Sequence, residues 1–361
     1  MPEVPHYEHA AETTMQLDWV DLPVIDIAVA ETEGREALAL TVRKAMTDFG
    51  FFSVVNHGLT PEHTSRMFDI ADVPFSQVDE VTKREYAADI KGTGSYEGYK
   101  LREYWHISGG VRDQIEHYNI NRDITKREHP PALRPYLSEI EAFARFNHEK
   151  VLYTLLRLFA RGMELPEDAL VDLHKFDSQS ETSVRFMKYY PRDETAEETT
   201  RSVWLKGHTE SDIGTVTILW SQPVAALQIL GRDDRWIWVR YVPNGLVINA
   251  GDALEFLSGG LYKATIHRVV QPPEDQRAKT RLGMFYFCFA DDNVKLAPLL
   301  ASPVLQRGGV KRRFADEDAP TMEEWRKGLT RSYGRSKLVK VGEKSRHEQE
   351  MVAGIVVRHF N

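Results

Sequence analysis

The first part of the chain alternates short apolar runs with one helical pattern. Leu22–Ile27 reads LPVIDI and is rich in β-branched residues, so it predicts a strand. Phe49–Gly58 reads FGFFSVVNHG and predicts a second strand that ends at Asn-His-Gly. Between the two runs, apolar residues recur on one face of a helix: Leu38, Val42, Ala45 and Phe49. The predicted order is therefore strand, helix, strand.

A longer helical pattern occupies the middle of the chain. It begins near Pro135, because proline is favoured in the first turn of a helix, and it ends near Gly162. Its apolar residues keep the helical period for about seven turns: Leu137, Ile140, Ala144, Val151, Leu155 and Leu158. We expect a helix of this length to lie along a large sheet as a buttress.

From Ser183 onward the pattern changes to short strands that are separated by Gly, Pro, Asp or Asn. The runs are VRFMKYY, TVTILW, LQIL, WIWVRY, LVINAG, YKATIHRVV and LGMFYFCF. So many short strands at this spacing favour an all-β sandwich or barrel. Beyond about residue 296 the sequence is charged and compatible with helices.

Composition excludes several classes of protein. The 361 residues carry a formal net charge of −8, which argues against a nucleic-acid partner because phosphate binding needs a basic face. No apolar run approaches the roughly 20 residues that span a bilayer, and the N-terminal residues do not resemble a signal peptide, so we expect a cytoplasmic protein without a membrane partner. The single cysteine, Cys288, excludes an internal disulfide and any metal site made of cysteines alone. A bound metal must therefore be held by histidine and carboxylate side chains.

The β-rich region contains such side chains. Glu210 and Asp212 lie two and four positions after His208, and His267 follows in a later strand. Two imidazoles and one carboxylate occupy one face of a metal ion and leave the other face open, which suits non-heme Fe(II) oxygenases. Residues i and i+2 of a strand point the same way, so a His-x-carboxylate pair can reach one ion.

Four fragments, in this order along the chain, resemble the isopenicillin-N-synthase-like branch of the Fe(II)/2-oxoglutarate-dependent dioxygenase superfamily. LPVIDI together with DFGFFSVVNHGL is similar to the N-terminal domain, and GHTESDIGTVTIL is similar to the first metal motif. VINAGDALEFLSGGLYKATIHRVV resembles the strands that lead to the distal histidine, and TRLGMFYF resembles the strand of the co-substrate arginine. WSQPVAALQIL and HRVVQPPEDQ are also similar to fungal members of natural-product pathways. The resemblance extends from about Leu22 to about Asp292.

The resemblance implies a mainly β fold with flanking helices. Its core is expected to be a double-stranded β-helix, or jelly roll, buttressed by the long helix and preceded by an N-terminal α/β domain. The expected divisions are 1–130 for the N-terminal domain, 131–180 for the buttress, 181–295 for the double-stranded β-helix and 296–361 for a C-terminal helical extension.

The resemblance also implies a chemistry. His208, His267 and one carboxylate are expected to bind Fe(II), with 2-oxoglutarate and O2 as co-substrates. The expected reaction is hydroxylation, desaturation or oxidative cyclisation of a small molecule, with release of succinate and CO2, and secondary metabolism is a candidate setting. The sequence leaves the acceptor and the oligomeric state open.

Two further residues match positions that bind 2-oxoglutarate in the family. Arg281 stands at the Arg-x-Ser motif, where Gly283 replaces the serine, and it is expected to bind the C5 carboxylate. Tyr190 stands at the tyrosine of an Asn-x-Tyr motif, with Lys188 in place of the asparagine, and it is expected to donate to the same carboxylate.

The identity of the carboxylate ligand stays open at this point. The family pattern is His-Thr-Asp-x-Gly, and this chain is two residues longer between His208 and Gly214. Alignment from the histidine selects Glu210 and keeps the i, i+2 geometry. Alignment from the glycine selects Asp212 and requires a bulge. Strand geometry favours Glu210, because an i+4 residue lies too far along an extended chain.

Other functions are also compatible with these residues. One is an Fe(II) oxidase that does not use 2-oxoglutarate, and another is a cupin-like metal-binding protein without oxygen chemistry, against which Arg281 argues. A third is a family member that has lost iron. The apolar C-terminal segment, Gly354–Phe360, is a candidate cover for the mouth of the site.

Overall fold

The computed structural model describes residues 1–108, 110–200, 203–205, 207–208, 212–312, 314–332, 339–340, 347–352 and 355–360. Its helices are α1 (Arg35–Asp48), α2 (Pro61–Ser76), α3 (Glu80–Glu85), α4 (Ile90–Thr93), α5 (Leu137–Arg145), α6 (Tyr153–Gly162), α7 (Glu194–Thr200), α8 (Asp252–Leu257), α9 (Pro303–Gly308) and α10 (Met322–Ser332). Its strands are β1 (Val24–Asp26), β2 (Phe51–Val55), β3 (Gly98–Lys100), β4 (His106–Ser108), β5 (Val111–Arg112), β6 (Ile115–Asn121), β7 (Ser183–Tyr189), β8 (Val203–Leu205), β9 (Gly207–His208), β10 (Val216–Trp220), β11 (Leu227–Leu230), β12 (Trp236–Trp238), β13 (Leu246–Ala250), β14 (His267–Val270), β15 (Arg281–Cys288), β16 (Val339–Lys340), β17 (His347–Val352) and β18 (Ile355–Phe360).

The largest sheet joins strands from both halves of the chain, in the order β1-β2-β13-β10-β15-β7-β6-β3. Residues alternate between its two faces because successive side chains of a strand point opposite ways. Phe52, Ile218 and Tyr286 belong to the main core, which includes the apolar side chains of α5 and α6. Phe51 precedes Phe52 and Leu219 follows Ile218, and both belong to a second core on the other face of the sheet.

That second face is covered by a smaller sheet with the order β12-β11-β14-β8. Leu227, Ile229 and Val269 of the smaller sheet pack with Phe285 and Val247 of the larger one. Two packed, mainly antiparallel layers with helices on the outside confirm the expected jelly-roll core with flanking helices.

The predicted buttress is confirmed as a nearly continuous helical segment. One turn of 3-10 helix (Arg134–Tyr136) leads into α5, and a π-helical stretch (Phe146–Leu152) joins α5 to α6. The π-helical stretch turns polar side chains toward the sheet: Trp220 Nε1 donates to Asn147 Oδ1 at 3.0 Å. This hydrogen bond satisfies the buried indole and ties the helix to β10.

The C-terminal region is helical only in part. The expectation of a helical extension agrees with α9 and α10, but it is wrong for β16, β17 and β18. β18 contains the run Ile355-Val356-Val357, whose β-branched side chains favour a strand. β18 pairs with β9, with His359 opposite His208. The side chains of β18 lie outside the described atoms, so its role as a cover for the site stays a prediction.

None of the helices in the described part of the chain has the length and the apolar composition that a membrane span requires.

Candidate active site

A cavity of about 180 Å³ lies between the two sheets. Its wall on the large sheet includes residues that alternate along two neighbouring strands and therefore share a face. These residues are Ser183, Arg185, Met187 and Tyr189 of β7 and Arg281, Phe285 and Phe287 of β15. The opposite wall includes Leu227, His267 and Val269 of the smaller sheet.

Asp212 lines the cavity just before β10. Its Oδ2 accepts hydrogen bonds from Thr217 Oγ1 at 2.6 Å and from Asn249 Nδ2 at 2.8 Å. Within the described part of the chain, its Oδ1 accepts no hydrogen bond. The two donors fix the carboxylate in one orientation and leave one oxygen for a further ligand.

Two glycines hold the Asp-x-Gly turn in place. A Cβ on Gly251 would lie 2.6 Å from the Asp212 carbonyl oxygen, and one on Gly214 would lie 2.3 Å from the Cys288 carbonyl oxygen. Both contacts are with backbone atoms, so the turn can pack this closely only where side chains are absent. Asp252 N donates to the Asp212 carbonyl at 2.7 Å and joins the turn to the start of α8.

His267 approaches the same end of the cavity from the smaller sheet. It lies opposite Ile229 in the β11–β14 pair, and its ring meets the Phe51 ring edge-on with centroids 5.3 Å apart. Phe51 is the register partner of Asn249, which binds Asp212. The structure therefore brings His267 and Asp212 to one region of the cavity.

The other predicted metal ligands are less completely described. His208 lies on β9, but its side chain is outside the described atoms, and Glu210 lies outside the described residues. The described side chains contain no group of three or more His, Cys, Asp or Glu residues that could hold a metal ion. The His208 side chain is not among those described, so this statement does not apply to a metal site formed by His208, Asp212 and His267 together.

Arg281 lies at the start of β15 and is only 3% exposed. Its Nε and Nη1 have no hydrogen-bond partner among the described residues. Burial lowers the pKa of this guanidinium, and a hydrogen bond with the Tyr189 hydroxyl opposes the shift. Its Cζ lies 5.0 Å from the centroid of the Tyr189 ring. A buried cation with two open donors is suited to bind a carboxylate.

Gly283 stands where the family motif has a serine. A Cβ at this position would lie 2.7 Å from Cε2 of Phe285 and 3.6 Å from Nη1 of Arg281. The Phe285 ring therefore occupies the space that a serine side chain would need, and the missing hydroxyl is replaced by an aromatic edge.

Tyr190 is not brought together with Arg281. Its hydroxyl donates to Glu116 Oε2 at 3.0 Å, and the Arg102 guanidinium lies over its ring at 4.8 Å. Tyr189 is instead the register partner of Arg281 and lines the cavity. The motif alignment selects Tyr190 by its spacing from Lys188. Successive side chains of an extended chain point opposite ways, so Tyr189 faces the cavity and Tyr190 points toward Glu116 instead.

Sequence reasoning also missed the residues that orient the site. Thr217 and Asn249 hydrogen-bond to Asp212, and Tyr189 contacts Arg281. Arg185 lines the cavity on β7. Alternation along VRFMKYY places residues 185, 187 and 189 on one face, and this pattern could have separated Tyr189 from Tyr190.

The residues at this site fit the groups that the sequence resemblance implies. Asp212 and His267 supply an oxygen and a nitrogen donor of the kind that Fe(II) accepts, in a cavity with an open face. Arg281 has two donors, Nε and Nη1, without a partner in the described part of the chain, and these fit the distal carboxylate of 2-oxoglutarate.

Comparisons with known proteins point to the same superfamily. The family model of the 2OG-Fe(II) oxygenase superfamily matches residues 181–290. A second model, of the non-haem dioxygenase in morphine synthesis N-terminal region, matches residues 22–138.

Similar proteins are known from plants and fungi. Jasmonate-induced oxygenase 3 of Arabidopsis thaliana is 29% identical over 305 residues, which are 82% of this chain and 77% of that protein. Flavonol synthase/flavanone 3-hydroxylase of Matthiola incana is 29% identical over 305 residues, 83% of this chain and 92% of that protein. The crystal structure of a full-length Neurospora crassa protein in complex with alpha-KG has a TM-score of 0.73 at 18% identity and covers 90% of this chain and 99% of that one. The chain thus belongs to the 2OG-Fe(II) oxygenase superfamily and is an Fe(II)- and 2-oxoglutarate-dependent oxygenase.

Proposed function

We propose that this cavity is the active site, with His208, Asp212 and His267 as the ligands of Fe(II) and Arg281 as the residue that binds the C5 carboxylate of 2-oxoglutarate. The observation that carries the proposal is the state of Arg281. It is a buried guanidinium with two donors that have no partner among the described residues, and it lines the same cavity as Asp212 and His267. A buried charge is costly unless it is paired, so an anionic ligand accounts for its position.

Two observations support Asp212 as the carboxylate ligand in preference to Glu210, which strand geometry alone favours. Asp212 faces the cavity, and hydrogen bonds from Thr217 and Asn249 hold its carboxylate. Carboxylates that bind metals typically accept such hydrogen bonds from neighbouring side chains. The turn after Asp212 is pinned by Gly214 and Gly251, as the alignment from the glycine requires.

When bound, Fe(II) would activate O2, the oxidant, and 2-oxoglutarate would supply two electrons by its oxidative decarboxylation to succinate and CO2. The protein's own residues do the rest. Asp212 is held with one oxygen toward the cavity, and Arg281 together with Tyr189 sets the position of the co-substrate carboxylate. The aromatic and aliphatic walls exclude water from the acceptor.

The acceptor is proposed to be a small organic molecule, which undergoes hydroxylation, desaturation or oxidative cyclisation. The relatives' names refer to jasmonate, flavonols and gibberellin, all of them small molecules. The resemblance of WSQPVAALQIL and HRVVQPPEDQ to fungal members of natural-product pathways supports a role in secondary metabolism. An Fe(II) oxidase that does not need 2-oxoglutarate and a cupin-like protein are not favoured by the family match.

Oxygen uptake and succinate formation test the proposal. The purified protein with Fe(II) should convert 2-oxoglutarate to succinate, and His267→Ala should abolish this turnover because it removes one of three protein ligands. His63→Ala, on the exposed start of α2, is the control and should keep it. Undiminished turnover in His267→Ala would show that the site is wrong, and oxygen uptake without 2-oxoglutarate would favour the oxidase.

A second experiment separates the two carboxylates. The anaerobic complex of Fe(II) and 2-oxoglutarate should give a metal-to-ligand charge-transfer absorption in the wild type and in Glu210→Ala, but not in Asp212→Ala. Loss of the band only in Glu210→Ala would reverse the assignment. Loss in neither variant would place the third ligand outside this segment.

A further inference from the structure

The space between the two sheets continues beyond Arg281. A second cavity of about 220 Å³ lies there, and Arg281, Leu219 and Leu227 line both cavities. Trp220, at the Arg281 end of β10, lines the second cavity, whereas Asp212 precedes the opposite end of β10. The second cavity is therefore an extension of the same interior, on the side of Arg281 away from Asp212.

The N-terminal segment closes this second cavity from outside. Residues 12–16 line it. Thr13 Oγ1 donates to Asp275 Oδ1 at 2.8 Å, and Gln276 Nε2 donates to the Ala11 carbonyl oxygen at 2.6 Å. These hydrogen bonds hold the segment over the cavity, so the second cavity is enclosed by the fold.

The lining of the second cavity is rich in polar side chains. Hydroxyl and amide groups come from Thr13, Thr14, Gln16, Ser221 and Gln222. Glu12 adds a carboxylate. A polar cavity of this volume can hold several water molecules. A guanidinium that moves into it therefore stays solvated and approaches an opposite charge.

The Arg281 guanidinium lies on the Asp212 side of the boundary between the cavities. Its Nη1 is 3.6 Å from the position that a Cβ on Gly283 would take, and Gly283 is two residues farther along β15 toward the Asp212 end. Nε and Nη1 have no hydrogen-bond partner among the described residues, and the Tyr189 hydroxyl shares a hydrogen bond with the group. A change of rotamer can withdraw the guanidinium toward the second cavity, where the polar lining replaces the contact with Tyr189.

Gly283 removes a second constraint on the length of the co-substrate. The family motif has a serine at this position, and glycine carries no hydroxyl group. A serine hydroxyl would stay where β15 holds it, whereas the Arg281 side chain can follow a longer molecule. The position of the distal carboxylate therefore depends on a residue with space behind it.

We infer that this enzyme also uses 2-oxoadipate as a co-substrate, the 2-oxo dicarboxylic acid with one more methylene group than 2-oxoglutarate. Arg281 withdraws toward the second cavity and binds the C6 carboxylate, while the 2-oxo acid end keeps its place. The inference rests on the proposed function, because it needs Fe(II) at the Asp212 end and a carboxylate at Arg281.

The reaction balances as it does with 2-oxoglutarate. The C1–C2 bond of 2-oxoadipate breaks, C1 leaves as CO2, and one oxygen atom of O2 enters the new carboxylate of glutarate. The other oxygen atom enters the acceptor as a hydroxyl group or leaves as water. O2 takes two electrons from the oxo acid and two from the acceptor, or from added ascorbate where no acceptor is present.

Three oxo acids test the inference: 2-oxoglutarate, 2-oxoadipate and 2-oxohexanoate. Each is titrated into the anaerobic wild-type Fe(II) protein, and the charge-transfer band gives its affinity. A pocket closed behind its arginine rejects an extra methylene group by about tenfold or more, so here the affinity for 2-oxoadipate should lie within a few-fold of that for 2-oxoglutarate. 2-Oxohexanoate has the chain of 2-oxoadipate without the distal carboxylate and should bind about tenfold or more weakly than 2-oxoadipate. In air with ascorbate, 2-oxoadipate should yield glutarate, as measured by mass spectrometry.

Variants that fill the second cavity assign the effect to it. Val247 of the large sheet and Val239 beside the smaller sheet are buried and line the second cavity but not the first. Val247→Phe and Val239→Phe should each reduce the affinity for 2-oxoadipate relative to that for 2-oxoglutarate about tenfold, because the guanidinium can no longer withdraw. Because the two variants fill the cavity from opposite walls, either one suffices if the other does not fold. Val24→Phe, at a 57% exposed position of β1, is the control and should keep the wild-type ratio.

The outcomes distinguish this inference from the proposed function. If the wild type forms no charge-transfer complex with 2-oxoglutarate, the proposed function is wrong. If that complex forms but 2-oxoadipate binds about tenfold or more weakly, or yields no glutarate, the inference is wrong and the proposed function stands. Equal binding of 2-oxohexanoate and 2-oxoadipate, or an unchanged ratio in the filled variants, would also overturn the inference.

Discussion

Replacing Arg281 by methionine should have opposite effects on the protein with and without 2-oxoglutarate. Methionine has a similar length and is apolar, so it fills the space of the guanidinium stem without its charge. In the protein without co-substrate, two buried donors of Arg281 have no partner among the described residues. Removing them should leave stability unchanged or increase it by about 1–3 kcal/mol, the cost of a buried unsatisfied group.

The effect on co-substrate binding follows from the same two donors. Hydrogen bonds to a charged group contribute about 1.5–3 kcal/mol each, and the loss of one bond alone already weakens binding about tenfold or more. Because Nε and Nη1 are both open, we expect the affinity for 2-oxoglutarate to fall about a hundredfold or more. Arg281→Lys should be intermediate, since an ammonium group cannot bind a carboxylate through a planar fork.

Two measurements check this prediction. Titration of 2-oxoglutarate into the anaerobic Fe(II) protein gives the affinity from the charge-transfer band, and urea unfolding gives stability with and without co-substrate. At a hundredfold excess over the dissociation constant, 2-oxoglutarate should stabilise the wild type by about 2.7 kcal/mol and the Met variant hardly at all. Arg232→Met, an exposed position, should behave as the wild type does. An affinity in Arg281→Met within a few-fold of the wild type would refute the role of Arg281.

Three further predictions concern groups around the site. Tyr189→Phe should raise the KM for 2-oxoglutarate about two- to tenfold, because it removes the hydroxyl that hydrogen-bonds to Arg281. Tyr190→Phe should leave this KM unchanged, since its hydroxyl binds Glu116. The reverse result in steady-state kinetics would show that Tyr190 binds the co-substrate, as the motif alignment implies. Asn249→Ala should weaken Fe(II) binding about 10- to 100-fold in a metal titration because the Asp212 carboxylate loses a donor, and unchanged affinity would contradict this. Burial lowers the pKa of His148 to about 3 and of His174 to about 4, so the unfolded chain binds more protons as the pH falls below about 6.5. Stability should therefore fall by up to about 1.4 kcal/mol per pH unit for each histidine from about pH 6.5 down to about pH 4, as measured by urea unfolding, and His148→Gln should show a weaker pH dependence.

Much of the fold could be predicted because secondary structure follows local periodicity. The buttress from Pro135 to Gly162 and the run LQIL appear in the structure nearly as the sequence predicts. For the end of the chain the sequence predicts helices, whereas the structure has the strands β16–β18 after α10. Helix and strand patterns are hard to separate in this charged region.

By itself, the sequence determined the kinds of donor and their order along the chain: His208, then a carboxylate, then His267 and Arg281. These are properties of residue type and spacing, whereas the family and its cofactors were indicated by the resemblance of four sequence fragments to known members. Only the tertiary structure decided which side chains share the cavity, because a difference of one residue along a strand reverses the face on which a side chain lies. Tertiary structure places Tyr189 beside Arg281 and brings hydrogen-bond donors from two other strands to Asp212. It also places Arg185 across β15 from the turn that carries Asp212. All three arrangements depend on pairing between strands that are far apart in sequence.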